Sequence, residues 1–482
     1  MVSSSAYKIE HSNDKSQTLN QDFEWISVPL QEIFENDLRL EAEVYATKAE
    51  KARLLVLDGQ FGFALLSEFV QTNHCPRFKR IFVHKSNLPI YQPSQIKELN
   101  PTPAAYISEK TNTDINKLRV KKGQILMTCS GTVGKVIIVS NTMENYIFSH
   151  DLLRINVKNE SDLGYLYTYF LSEIGRLIIQ ANNYGAVIKH IEPEHLYRVP
   201  IPNAPLILKQ KINDLIIDSF GLRDRSNELL KDAQALLRKS LNLPDFDDFS
   251  GKENSSEAYA FSVNSSDLNG RLEANYHHPT AQKIIQHLNI HAMHMTKLAD
   301  KNIVNSIILP SRFKRYYVEP EFGVPFIGGK EILELDPRGE KYLSFKQHND
   351  LISTQLALKN NYILITCSGT IGKVTLVPEH WEGWAASQHL LRVIPASSKW
   401  AGYLYTWLSS EWALPLIRRH TYGAVVFEID QHQLSQVEVP LVDENVMMKI
   451  NELALSANEL RTRAFNAEQA ALDILNKDIL GI

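Results

Sequence analysis

The sequence has few cysteines, little net charge and no long apolar run, and each absence argues against a class of protein. Its 482 residues include three cysteines, none of them in a C-x-x-C pair. Reduced thiols are therefore expected rather than a zinc cluster or a disulfide framework. The net charge of −4 argues against a globally basic nucleic-acid binder, although it leaves room for local basic surfaces.

No stretch of about 20 apolar residues predicts a membrane-spanning helix. The first 22 residues also lack the apolar core of a secretory signal, so residues 1–21 are expected to be a disordered polar tail. We therefore expect a cytoplasmic protein. Its length allows about three domains of ~150 residues, and its 44% hydrophobic content is enough for ordinary packed cores.

The chain contains an internal duplication. TCSGTVGKV at 128–136 returns as TCSGTIGKV at 366–374, and flanking blocks return at the same offset of 238. Examples are SHDLLRI against SQHLLRV, and GYLYTYFLSE against GYLYTWLSSE. Upstream the offset drifts, with RFKR at 77–80 and again at 312–315. Each copy is too long for a solenoid repeat, so the pattern predicts a duplicated globular domain.

The repeated glycine-rich phrase does not fit a phosphate-binding loop. Such a loop needs a glycine, four residues, then Gly-Lys-Ser/Thr. Here Val136 follows Gly134-Lys135 and Cys129 takes the place of the first glycine, and the second copy departs in the same way. Apolar, β-branched residues flank the glycines, which favours a strand–turn–strand hairpin. Lys135 and Lys373 would then project near the turn.

The hydrophobic period changes after each copy. Residues 205–243 have apolar residues at helical spacing, and residues 441–480 repeat the pattern. A helix of about 38 residues would span about 57 Å. Two such helices are expected to bury their apolar stripes against each other, antiparallel if the domains sit at opposite ends. The predicted stripe of the first helix is Ile212, Leu215, Ile216, Leu222, Leu229, Ala233, Leu236 and Leu237.

The sequence thus predicts an α+β fold with two similar mixed α/β domains separated by a pair of long antiparallel coiled-coil helices. The expected boundaries are a tail at 1–21, a first domain at 22–202, a central helix at 203–243, a linker at 244–262, a second domain at 263–440 and a C-terminal helix at 441–480.

The order of these motifs resembles the specificity subunits of Type I restriction–modification systems. The resemblance rests on RLEAEVY and RLEANYH at the domain entries, the central G-x-I-L-x-T-C-S-G-T-x-G-K-V, and YGAV followed by a long helix. It covers the chain from about residue 22. One departure is Met448, which stands where the first copy has Gln210 at the helix entry.

The resemblance implies two target-recognition domains that each read half of a split double-stranded DNA sequence. It also implies docking of two adenine methyltransferase subunits, and of restriction–translocase subunits for cleavage. It implies a non-catalytic protein without cofactor or metal. In agreement, the sequence has no N-P-P-Y or D-P-P-Y methyltransferase motif and no helicase phosphate loop.

Candidate DNA-binding residues lie in two kinds of segment. Both RFKR segments cluster cations that can hold phosphates, although a solvated basic strand edge fits them equally well. Two matched loops begin with Tyr-Gly and then diverge, as expected of domains that read different sequences or of unselected drift. The predicted DNA-binding set is Arg77, Lys79, Arg80, Lys135, Tyr184, Lys189, Arg312, Lys314, Arg315, Lys373, Arg419 and Tyr422.

Two other functions fit parts of the sequence. Neutral net charge and aromatic blocks such as GYLYTWL suit a duplicated scaffold that binds two copies of a protein. A thiol enzyme would use Cys129 or Cys367 as its nucleophile, although buried small residues on a strand are the preferred reading of both.

Overall fold

A computed structural model describes residues 47–185, 188–250, 260–268, 270–338 and 341–482, with Val28, Leu30, Ile33 and Tyr45 as single positions. The expected tail and most of RLEAEVY lie outside the described residues. Within them the chain forms two domains of the same topology joined by long helices. No helix in this part of the chain has the length and apolarity needed to cross a membrane.

The first domain combines three small sheets with short helices. Its sheets have the strand orders β1-β10, β2-β9-β6-β7 and β3-β5-β4-β8. The elements are α1 (Thr47–Leu57), β1 (Phe63–Leu65), α2 (Leu66–Phe69), β2 (Val70–His74), β3 (Phe82–Val83), β4 (Pro89–Tyr91), β5 (Ala105–Ile107), α3 (Ile115–Leu118), β6 (Ile125–Thr128), β7 (Val136–Ile138), β8 (Ile147–Phe148), β9 (Leu152–Val157), α4 (Leu163–Leu171), α5 (Glu173–Ala181), α6 (Pro193–Tyr197) and β10 (Pro200–Pro202).

Helices α7 (Leu206–Ser240) and α8 (Phe246–Ser250) follow the first domain. The second domain repeats the sheet orders as β11-β20, β12-β19-β16-β17 and β13-β15-β14-β18. Its elements are α9 (Pro279–His291), β11 (His294–Lys297), β12 (Val304–Ile308), β13 (Tyr317–Val318), β14 (Gly323–Ile327), β15 (Tyr342–Ser344), α10 (Phe345–Leu351), β16 (Ile363–Thr366), β17 (Val374–Leu376), β18 (Ala385–Ala386), β19 (Leu390–Pro395), α11 (Ser398–Leu408), α12 (Ala413–Arg418), α13 (Gln431–Ser435) and β20 (Glu438–Leu441), and α14 (Glu444–Asp473) ends the chain with a π-helical segment, Ile474–Leu480.

The repeated glycine phrase is a hairpin, as the sequence predicts. Strands β6 and β7 pair antiparallel, and β16 and β17 pair in the same register. In the first turn the Gly134 N–H donates to the Thr128 carbonyl oxygen over 3.0 Å. Gly131 and Gly134 have φ of 72° and 92°, angles that L-residues rarely adopt. The glycines are therefore needed for the turn itself.

The two long helices pair antiparallel, which confirms that part of the prediction. Ser219 Oγ on α7 donates to the Ala464 carbonyl oxygen on α14, and Ser226 Oγ donates to that of Ala457. The residue number of the α14 partner falls from 464 to 457 as that of the α7 residue rises from 219 to 226, so the helices run antiparallel. Helix α7 begins and ends three residues inside the predicted 203–243. Helix α14 begins three residues after the predicted 441, and the π-helical segment that follows it reaches residue 480. The predicted linker includes α8.

The centre of the helix pair is polar. Apolar residues pack at its ends, where Ile212 and Ile216 join the first domain's core and Ala233 and Leu237 join the second's. Between them Arg223 on α7 forms a buried ion pair with Glu468 on α14. The Tyr167 hydroxyl of the first domain lies 3.1 Å from the same carboxylate. The prediction of a continuous apolar stripe along α7 is therefore wrong for the centre of the helix pair.

His380 of the second domain lies against the same helix pair as a neutral side chain. Its ring stacks on Phe465 at 4.3 Å between centroids. Nε2 lies 3.0 Å from the Leu335 carbonyl oxygen, and Nδ1 lies 3.2 Å from Thr462 Oγ1. A neutral imidazole satisfies both contacts, donating at Nε2 and accepting at Nδ1. Burial is the main cause that lowers the pKa of His380 to about 4.

This histidine makes stability depend on pH. In the unfolded chain His380 titrates near 6.5, so between pH 6.5 and 4 the unfolded state binds more protons and stability falls as the pH falls. The slope from one such group is at most about 1.4 kcal/mol per pH unit. Denaturant unfolding at pH 7, 6 and 5 should show a shallower fall for His380→Gln, whose amide does not titrate. Equal slopes for both proteins would contradict this assignment.

Candidate nucleic-acid interface

Three segments converge on one surface of the first domain. The basic segment 77–80 follows β2, the glycine turn 129–134 follows β6, and residues 184–185 and 188–190 close as a small hairpin through the Tyr184–His190 bridge. That hairpin is tied to the turn because the Gly131 N–H donates to the Lys189 carbonyl oxygen over 3.0 Å. The Tyr184 and His190 backbones exchange two hydrogen bonds. Besides burial, the charges of Arg80 and Arg77 both lower the pKa of His150, and the charge of Arg77 also acts to lower that of Tyr184, against the effect of burial. The predicted residues Arg77, Arg80, Tyr184 and Lys189 therefore share this surface.

Acidic side chains hold two of these groups in place. Arg80 Nη2 lies 3.3 Å from Asp151 Oδ2, and the Tyr184 hydroxyl donates to Glu192 Oε1 over 2.9 Å. Burial raises the pKa of Tyr184, and the hydrogen bond to Glu192 adds to the shift. The hydroxyl therefore stays a neutral donor. Arg77 and Lys79 are exposed.

The second domain builds the same surface with different side chains. Arg312 Nη2 lies 3.6 Å from Glu428 Oε1, and the Arg312 side chain is 82% exposed. Arg315 donates to Gln388 Oε1 over 2.9 Å. The Gly369 N–H donates to the Phe427 carbonyl oxygen, repeating the link between turn and loop. Tyr422 pairs with Glu428 through two backbone hydrogen bonds, as Tyr184 does with His190.

Both loops depend on a glycine at the same position. Gly185 and Gly423 each have a φ of 103°. A Cβ on either would lie 2.3 Å from a backbone oxygen, that of Ile188 or Val426. A side chain there would collide with the backbone, so the loop shape requires glycine. The second loop carries an exposed apolar tip, in which Val425 is 94% exposed.

The cysteines beside this surface are poor nucleophiles. Cys129 Sγ lies 3.8 Å from His74 Nε2, and His74 Nδ1 lies 3.4 Å from a Glu192 oxygen, an arrangement that superficially resembles a catalytic triad. Burial raises the pKa of Cys129 to about 12, and that of Cys367 equally. Only the thiolate attacks, and neither thiol forms it near neutral pH. Leu309 stands where the second domain would need the histidine.

Two predicted DNA-binding lysines lie elsewhere. Lys135 Nζ is 3.9 Å from Glu334 of the second domain, and Lys373 Nζ is 3.3 Å from Glu98 of the first. Between these reciprocal pairs the Leu99 N–H donates to the Leu333 carbonyl oxygen over 2.9 Å. Both carboxylates are buried. These lysines therefore join the two domains to each other, a contact that the sequence analysis missed.

Arg419 also lies away from the surface. Its side chain is 5% exposed, lies 3.7 Å from Glu438 and sits 4.4 Å from the centre of the Tyr276 ring. It packs on the RLEANYH segment at the entry to the second domain. A buried guanidinium cannot reach a phosphate in this arrangement, so Arg419 is left out of the surface. Lys314 is exposed near Arg312 and remains part of the candidate surface of the second domain.

The sequence analysis missed the acceptors that orient the arginines. In the first domain the acceptor is Asp151, and in the second it is Gln388. The matched blocks SHDLLRI and SQHLLRV differ at these two positions near their start, with His150 facing Gln388 and Asp151 facing His389. This local difference could have pointed to a functional position, because the LLR that follows is unchanged in both copies. Burial lowers the pKa of His150 and of His389.

Comparison with known proteins confirms the resemblance seen in the sequence. Residues 63–233 match the family model described as the Type I restriction modification DNA specificity domain. No curated protein matches the chain significantly.

Solved structures also match. One is the Type I restriction–modification S subunit from M. genitalium, with 12% identity over 88% of this chain and 96% of that one, at a TM-score of 0.30. Another is the HsdS subunit from Thermoanaerobacter tengcongensis, with 14% identity over 88% and 99%, at a TM-score of 0.27.

Proposed function

Because residues 63–233 match the family model described as the Type I restriction modification DNA specificity domain, we propose that this chain is the DNA-reading specificity subunit of a Type I restriction–modification complex. Each of its two domains binds one half of a split target in double-stranded DNA. The chain performs no chemistry. It acts in the cytoplasm with two adenine methyltransferase subunits, and with restriction–translocase subunits where the complex cleaves.

The observation that carries the proposal is the doubled basic surface. RFKR stands beside the glycine turn and the Tyr-Gly loop in both domains, with the first arginine exposed each time. Exposed cations beside the glycine turn suit phosphate oxygens, which every DNA sequence presents alike. Two such surfaces on one chain can hold two segments of the same duplex.

The helix pair and the contact between the domains set the distance between these surfaces. Helices α7 and α14 bind both domains, because each helix ends in a hydrophobic core. The Glu98–Lys373 and Glu334–Lys135 pairs add a direct link. A fixed distance between two reading surfaces corresponds to a fixed gap between half-sites. The exposed faces of the helices are available to the methyltransferase subunits.

The test starts from cells with and without this gene. Sequencing of methylated adenines should reveal a two-part motif that disappears on deletion. If deletion leaves every motif unchanged, the proposed function is wrong.

On DNA containing that motif, the purified complex should bind with a steep dependence on salt. Each phosphate contact contributes about −0.9 to the slope of log affinity against log salt. Arg77→Ala should flatten the slope by about that amount. Arg80→Ala, in the same domain, should weaken recognition of the first half-site alone, whereas Arg312→Ala should affect the second.

Lys158→Ala is the matched control for these variants. Lys158 is exposed and follows β9, whose opposite end pairs with β2 next to the basic segment. Its removal changes the charge of the same domain away from the surface, so slope and half-site preference should stay as in the wild type. Equal loss at both half-sites from Arg80→Ala would refute the modular reading.

A further inference from the structure

Each basic segment leads into an exposed sheet edge, β3 in the first domain and β13 in the second. β3 and β13 are the terminal strands of the sheets β3-β5-β4-β8 and β13-β15-β14-β18, so each has a strand neighbour on one side only. Large apolar side chains on these edges face solvent, with Phe82 56% exposed and Tyr317 43% exposed. Contiguous exposed apolar groups usually mark a binding site.

The two edges differ where the preceding segments agree. RFKR is identical in both domains, but Ile81-Phe82-Val83 follows it in the first and Tyr316-Tyr317-Val318 in the second. Phosphate contacts are the same for any DNA sequence, whereas base contacts must change with the sequence that is read. The identical RFKR segments suit phosphate contacts, and the edges that differ between the domains suit base contacts.

The second edge borders a groove. Its volume is about 800 Å³, and its lining residues include Tyr316, Tyr317, Phe322, Phe345 and Lys346. Lys314 Nζ lies 5.0 Å from the centre of the Tyr316 ring. In the first domain Phe82 pairs with Ile107 as Tyr317 pairs with Leu343. That register places Glu109 where the second domain has Phe345.

We infer that these two edges are the elements that read bases, and that their difference makes the two half-sites differ. The inference rests on the proposed function. The occupant is duplex DNA, because each edge continues a basic segment whose cations attract phosphates. The major groove is wide enough to admit a two-stranded ribbon such as β3 with β5.

The side chains indicate what each edge reads. Ile81, Phe82 and Val83 offer only apolar surface, which recognises the thymine methyl group. The hydroxyls of Tyr316 and Tyr317 can donate to and accept from base edges. The first half-site therefore contains a thymine contacted through its methyl group, and the second contains bases recognised by hydrogen bonds.

The test exchanges the edges in the full complex and reads methylated adenines across the genome. Ile81→Tyr with Phe82→Tyr should weaken the base preference in the first half of the methylated motif about tenfold or more, which is the range for one base contact. The second half-site should stay unchanged. Tyr316→Ile with Tyr317→Phe should do the reverse. Ile290→Tyr, at a 77% exposed position on α9, should leave both halves unchanged.

Three results would overturn the inference. The first is an unaltered motif in both exchanges while methylation continues, in which case the proposed function stands. The second is an altered motif in both halves from one exchange. The third is an unaltered motif with loss of co-purifying methyltransferase, which would make the edge a protein interface. If an exchange does not yield folded protein, Phe82→Tyr, which adds one hydroxyl, carries the same expectations.

Discussion

Glu468→Ala should lower the free energy of unfolding by about 3–5 kcal/mol. The substitution leaves the Arg223 guanidinium buried between the two long helices without its carboxylate, and an unpaired buried charge is costly. The Tyr167 hydroxyl loses the same acceptor. Because Glu468 comes from the second copy and Tyr167 from the first, the loss should appear in both domains. Chemical denaturation of the purified chain measures it.

Glu452→Ala provides the control on the same helix. Its ion pair with Lys449 is solvent-exposed on both sides, so its removal should change stability by a few tenths of a kcal/mol. The triple variant Arg223→Met, Glu468→Leu, Tyr167→Phe removes the charges and the hydroxyl together and should recover most of the loss. A Glu468→Ala protein as stable as Glu452→Ala would mean that the buried pair contributes little.

The polar centre of this helix pair shows where periodicity stops being informative. Spacing identified both helices, because apolar residues recur at the ends where each helix enters a domain core, and the antiparallel pairing was expected only if the domains sit at opposite ends. In the middle, Ser219, Ser226 and Arg223 occupy buried positions. Their partners lie more than 200 residues away on the other copy, so no local pattern reveals that these polar groups are satisfied.

The same reason explains the lysines of the glycine turn. The sequence predicted the hairpin correctly, since glycine and β-branched spacing are local signals. It predicted Lys135 and Lys373 as DNA-binding residues because both lie next to the turn. Their acidic partners, Glu334 and Glu98, belong to the opposite domain, so no local pattern reveals these ion pairs. The DNA-binding role of the basic segment stays a prediction, which is kept because its arginines recur in the same order in both copies and lie on the surface beside the glycine turn.

Arg419 shows that a charged residue in the sequence cannot be assumed to be exposed. Arg418, Arg419 and His420 look like a basic cluster in the sequence, but Arg419 and His420 are both buried. The ring that covers Arg419 is Tyr276, and the carboxylate beside it is Glu438. Burial adjacent to this guanidinium lowers the pKa of His420 to about 3. The cluster is part of the packing of the second domain.

Gly402→Ala should be the second strongly destabilising substitution, lowering the free energy of unfolding by about 1–3 kcal/mol. Gly402 on α11 packs directly on α14, where a Cβ would lie 2.4 Å from the Asn451 carbonyl oxygen. The helices would have to separate, which strains the packing, and the hydrogen bond from the Gly402 N–H to Asn451 Oδ1 would lengthen from 2.8 Å. Gly164 meets Asn213 in the same way in the first domain.

Gly221→Ala is the matched control and should have the opposite sign. Gly221 lies inside α7, where a Cβ would meet nothing within 4 Å, so alanine should stabilise the helix by about 0.5–1 kcal/mol. Thermal or denaturant unfolding compares the two. If Gly402→Ala also stabilised the protein, the close contact between the domain and the helix would be wrong. A loss confined to Gly402→Ala would show that the second domain packs on the helix pair through this glycine, a contact that helps to fix its position relative to the first domain.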